Sequence, residues 1–141
     1  MTTIDVVAAL YLCNAVDRPY YWFPYGFEGG SDIPVYHELY PDALREVSDG
    51  VSGYIYEVHA EENQVIPFKN IPCARLATEP VEVTKYVRVE NAYDLFMEYV
   101  KQGKMKVSHF EDKSEQQLEW WYSCLVDYLK EKQVWERYTA E

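Results

Sequence analysis

Residues 81–103 read VEVTKYVRVENAYDLFMEYVKQG, and the change of period inside this stretch decides the fold class. Val81, Val83, Val87 and Val89 fall on one side of an extended chain, interrupted by Lys85. Glu82, Thr84, Tyr86, Arg88 and Glu90 fall on the other. Alternation with period two predicts a strand with one face on the core and the other towards solvent or a site. At Asn91 the alternation stops. Asn is a favoured helix N-cap, Asp94 suits the positive first turn, and Gly103 suits the stop, so a helix is predicted to about Gln102.

Towards the N-terminus, CARLAT (73–78) predicts another strand. GYIYEVHA (53–60) alternates well: Tyr54, Tyr56 and Val58 face one way, Ile55, Glu57 and His59 the other. Tyr54 and Tyr56 are expected to be buried together. Pro41 followed by DALREVSDG predicts a short helix, with Pro in the first turn, Asp42 at the positive end and Gly50 as the stop. DVVAALYLCNAV (5–16) is apolar with little period, so helix and strand both stay open. The Pro- and Gly-dense region around YYWFPYGF (20–27) predicts a loop.

Towards the C-terminus, KMKVSHF (104–110) predicts a short strand. Ser114 with Gln117 forms a capping-box pattern. Leu118, Trp121, Tyr122, Leu125 and Leu129 then repeat at helical spacing, so a long terminal helix is expected to lay this face on the domain, with Trp121 on the sheet. The expected fold is therefore a single α+β domain over residues 1–141: a small central antiparallel or mixed sheet, flanking helices and a long C-terminal helix.

A chain of 141 residues fits one domain and buries roughly 68–70% of its unfolded surface, enough to fold without staples. At 48% hydrophobic and 16% aromatic residues it is too apolar for a disordered chain. No stretch approaches the ~20 apolar residues of a membrane helix. The N-terminal apolar run has no basic residue before it, so it does not read as a secretory signal. Cys13, Cys73 and Cys124 are odd in number and lack CxxC spacing, which argues against disulfides and for a reducing cytoplasm.

Net charge is −11, and residues 1–60 hold two basic residues, Arg18 and Arg45, against nine acidic ones. Such a front half repels phosphate, so nucleic acid is not an expected partner. A protein or a small molecule is. No GxSxG, P-loop or GxGxxG stretch occurs. His37, His59 and His109 are scattered with no metal-ligand spacing, so no metal is expected from the sequence.

YHELYPDALREVSDGVSGYIYEV (36–58) resembles a segment of a bacterial family marked by a Tyr-x-Glu-x-(Phe/Tyr)-Pro-x-x-Leu run, then an aromatic-Asp-Gly-Val-x-Gly-Tyr-x-Tyr turn into a strand. The matching positions are Tyr36, Glu38, Tyr40, Pro41 and Leu44, then Asp49, Gly50, Val51, Gly53, Tyr54 and Tyr56, with Ser48 where the family has an aromatic. The likeness runs over about residues 5–132. The family is associated with the ADP-ribosyltransferase-like fold, which grips NAD between two small sheets. That resemblance implies NAD as a cofactor and an early strand before the aromatic stretch. It also implies an opening strand bearing His-Gly-Ser/Thr, whose side chain holds the nicotinamide ribose. No His-Gly occurs in this sequence, so an incomplete NAD grip is expected.

Under the resemblance, Glu79 in ATEPV is a candidate catalytic carboxylate, orienting a ribose hydroxyl and stabilising positive charge on the sugar. Its alternative is a solvated turn acid beside Pro80. Glu38 is the second catalytic candidate. Tyr36 and Glu38 point one way and His37 the other if the segment is extended. Glu57 and His59, two apart on one strand, could line a cleft or an exposed edge. Trp22 and Tyr25 of the aromatic stretch are candidates to stack on a flat ring or sugar, with Tyr36, His37 and Arg18 completing the candidate ligand contacts; Arg18 or Arg45 would meet phosphate. The stretch itself reads as a core wall, a cleft wall or a protein contact surface. Two functions follow: a non-catalytic binding or regulatory domain, or an NAD- or nucleotide-dependent transferase using Glu79 or Glu38.

Overall fold

The computed structural model describes residues 1–13, 24–68 and 71–131. Trp22 and Arg18 lie outside the described residues, as does the first half of the aromatic stretch, residues 20–23. Its end is not loop: Tyr25–Phe27 is strand β1, pairing antiparallel with β2, Pro34–His37. Backbone pairing to β2 overrides the local Pro and Gly signals there. The open reading of the N-terminal run resolves as helix α1, Asp5–Leu10, followed by a 3-10 turn at Tyr11–Cys13. Over residues 5–13 the described backbone is helical; residues 14–23, up to and into the aromatic stretch before which the resemblance implies a strand, lie outside the described residues. Val6, Val7, Ala9 and Leu10 of α1 are buried.

Helix α2, Ala43–Ser48, forms after Pro41 as expected, but Asp42 does not cap it. Asp42 adopts the left-handed conformation with φ 59°, and its side chain makes no cap bond. The capping acceptor is Glu38, whose Oε2 accepts the Leu44 N–H at 3.1 Å. Gly50 stops the helix with φ 80°, a conformation that costs glycine little.

Strands β3 (Gly53–His59) and β6 (Glu82–Val89) form an antiparallel ribbon, Tyr54 opposite Arg88 and Tyr56 opposite Tyr86. A bulge between Glu57 and Val58 shifts the register. Val58 lies opposite Val83 and His59 opposite Glu82, and Thr84 of β6 is the extra residue; Glu57 and His59, on the unbulged strand, are both exposed on either side of the half-buried Val58. The ribbon's burial also departs from expectation. Tyr54, Tyr56 and Tyr86 are 44%, 58% and 64% exposed, and Val83 and Val87 are about half exposed as well. Of the valine face only Val89, at the inner end, is in the core. Among the described residues no layer covers the outer half of this two-stranded ribbon.

A second ribbon joins β4, Val65–Phe68, to β5, Ile71–Ala77, which Thr2 extends by a bridge to Ala74. Strand β7, Lys106–Ser108, lies parallel to β2 and completes a three-stranded sheet in the order β1-β2-β7.

Helix α3, Ala92–Lys101, starts at Asn91, whose side chain accepts the Tyr93 N–H, and ends before Gly103 with φ 76°. It supplies Phe96 to a core shared with Val6, Leu10, Tyr36, Leu44 and Met105. Helix α4, Glu115–Glu131, opens on the expected reciprocal bonds: Gln117 N–H to Ser114 Oγ, and Ser114 N–H to Gln117 Oε1. Trp121 packs on the sheet, its ring 4.5 Å from that of His37, and the Tyr122 hydroxyl donates to the Leu39 carbonyl at 2.7 Å.

Candidate functional site

Among the described residues, two places gather candidate side chains. The first lies where β2 and β7 end side by side. Their parallel register sets His37 opposite Ser108, so the next residues, Glu38 and His109, are neighbours across 71 positions of sequence. The Glu38 N–H donates to the Ser108 carbonyl at 2.9 Å and fixes the junction. Glu38 Oε1 sits 2.7 Å from His109 Nδ1 while Oε2 holds the Leu44 N–H. The glutamate is 3% exposed, a buried carboxylate with both oxygens engaged. Glu111, in the 3-10 turn Phe110–Asp112, reaches the same point. The Lys113 ammonium donates to Ser108 O and Oγ and to His109 O. Burial lowers its pKa, partly offset by Glu38 and the neighbouring acids.

Of the candidate ligand contacts, Tyr36 is a core residue whose hydroxyl pKa burial pushes up strongly. His37 stacks on Trp121, and burial, then Lys113, lower its pKa. Sequence reasoning named Glu38 and His37 but missed that His109 and Glu111 join Glu38. The strand prediction at KMKVSHF places His109 at a strand end, yet nothing local specifies parallel pairing to β2.

The second place is the β3–β6 ribbon. Tyr54, Tyr56 and Tyr86 pack on one another with ring centres 5.8–6.4 Å apart. The Arg88 guanidinium lies 5.4 Å from the Tyr54 ring centre and pairs with Glu90 at 2.8 Å. This ribbon, α1, β5 and α3 border a groove of about 1270 Å³. Tyr25 lines it, with its pKa raised to about 12 by burial and by Tyr11. Asp5, Glu57, Glu90 and Asp94 face Lys85 and Arg88 there, an acidic balance unsuited to a pyrophosphate.

Glu38, Glu57 and Glu79 do not converge. Glu57 borders the groove, Glu38 is in the β2–β7 junction, and Glu79 stands exposed in the bend between β5 and β6. Arg45 is engaged outside the groove by the Tyr93 hydroxyl and ring and by Asp42.

No protein family, curated protein or solved structure matches this chain.

Proposed function

We propose that this chain is a non-catalytic binding domain, acting in a reducing bacterial cytoplasm, that docks a protein with a basic surface on the tyrosine face of the β3–β6 ribbon. One observation carries the reading: Tyr54, Tyr56 and Tyr86 form a contiguous exposed ring cluster backed by Arg88. Tyr and Arg are among the side chains that anchor interfaces: Tyr presents a large rigid area at small entropic cost, and Arg offers a planar fork of donors that also stacks on rings. Exposed Glu57 and Glu90 line the same groove as the rings, and the chain carries −11 overall. That charge attracts a basic partner and opposes a second copy of the same acidic chain. The relation to ADP-ribosyltransferase-like folds belongs to this proposal and rests on the sequence block 36–58.

The test combines Tyr54→Ser, Tyr56→Ser and Tyr86→Ser in one variant. The exposed rings leave folding intact, so the variant keeps its cooperative melt and loses salt-sensitive capture of the partner. Capture unchanged in a folded variant defeats the reading.

A second reading, an NAD- or nucleotide-dependent ADP-ribosyltransferase-type enzyme, is favoured by the buried Glu38 carboxylate held against His109. Against it, Glu38 is committed to capping α2, and Glu79 has no partner chemistry around it among the described residues. A thermal shift with NAD that nicotinamide-free nucleotides fail to reproduce separates the two.

A further inference from the structure

Burying a carboxylate demands a compensating positive charge or a full set of donors. Among the described residues, the one ion-pair partner within 4.0 Å of Glu38 is His109, which carries no permanent charge. Lys113 is held instead by carbonyl and hydroxyl oxygens of Ser108 and His109. The junction thus brings two carboxylates, Glu38 and Glu111, and the imidazole of His109 to one point.

We propose that Glu38, His109 and Glu111 form a divalent transition-metal site, with zinc as its natural probe. One ligand atom from each residue lies within 4.8 Å of the others. An imidazole with two carboxylates suits zinc and its neighbours over magnesium or calcium, which prefer all-oxygen sets. Glu38 is the rigid member, because the Leu44 N–H anchors its second oxygen as outer-shell bonds anchor metal ligands. His109 is 60% exposed at its side chain, so its ring turns freely enough to exchange the bond to Glu38 for a shared cation. Zinc bonds of about 2.0–2.2 Å to nitrogen and oxygen need only a modest opening of this pair. The exposed side of His109 and Glu111 leaves a coordination position open to water. The site stands apart from the tyrosine ribbon and is independent of the docking proposal.

Calorimetric titration of the full chain with zinc chloride, repeated with magnesium chloride, tests this. One zinc per chain is expected, with no comparable magnesium binding. Cobalt loaded in place of zinc gives visible absorption bands from the site. Glu111→Gln and His109→Gln each weaken zinc binding by at least about tenfold and abolish the cobalt bands. Glu111 is exposed, so the metal-free melting temperature of Glu111→Gln stays near that of the parent and serves as the folding control, whereas His109→Gln is expected to melt lower because it alters the partner of the buried Glu38. No zinc binding by the parent chain, or binding that both folded variants retain, overturns the proposal.

Discussion

Asn91 Nδ2 donates to Asp49 Oδ1 at 2.8 Å, tying the end of α2 to the start of α3 across 42 residues. The same side chain accepts the Gly50 N–H at 3.2 Å and the Tyr93 N–H at 3.1 Å, and the Ala92 N–H reaches the Val51 carbonyl at 2.7 Å. The Asp49-Gly50-Val51 turn is thus a structural clasp. Asn91→Ala removes a cap and two tertiary bonds. It is expected to cost about 1–2 kcal/mol, read as a lower urea midpoint with an unchanged slope.

Asp42 is the one non-glycine residue among those described with positive φ. Its 3.4 Å pair with Arg45 is exposed and adds little. Asp42→Gly relieves the backbone and is expected to leave stability unchanged or raise it by up to ~1 kcal/mol. Gly50→Ala, at φ 80° with open space around the position, isolates the backbone penalty at about 1 kcal/mol. Paired thermal melts measure both.

His37 gives up its proton more readily in the folded protein, because burial and then the Lys113 ammonium oppose its charge, with Glu28 offsetting part of this. The unfolded chain therefore binds more protons between the unfolded value of about 6.5 and the lowered folded value. Stability falls as pH drops through that window and levels off beneath it. His37→Asn loses the Trp121 contact but flattens this slope, seen in urea midpoints taken at steps from pH 7.5 to 5.

The Cys13 thiol is buried, and burial pushes its pKa up to about 12. Cys124, on α4, is partly exposed. A disulfide reagent at pH 8 is expected to modify Cys124 first and Cys13 only on unfolding, with mass spectrometry of digests assigning the order.

What the sequence made legible was local. Asn91, Gly103 and the Ser114–Gln117 box declare helix ends through their own side chains and backbone, and each lies where it was read. The ribbon strands were equally plain from alternation, but their exposure was not. Alternation reports which residues share a face, whereas covering that face depends on a layer that the described residues do not place over Tyr56 and Tyr86. The bulge at Glu57 and Val58 has no glycine or proline to announce it. Glu38 was readable as a candidate, yet its meeting with His109 follows from the parallel pairing of two short strands, a long-range choice that neither segment encodes alone.

The central claim is that the tyrosine face is a docking surface. It is tested most directly by placing a photo-crosslinking residue at Tyr86, with a second at exposed Gln117 on α4 as the control, and irradiating the full chain in cells. The account predicts one discrete adduct from position 86, to a protein of basic surface, absent from position 117 and lost when Tyr54 and Tyr56 are replaced by Ser. Adducts of equal yield from both positions, or an adduct to a second copy of this chain, would contradict it.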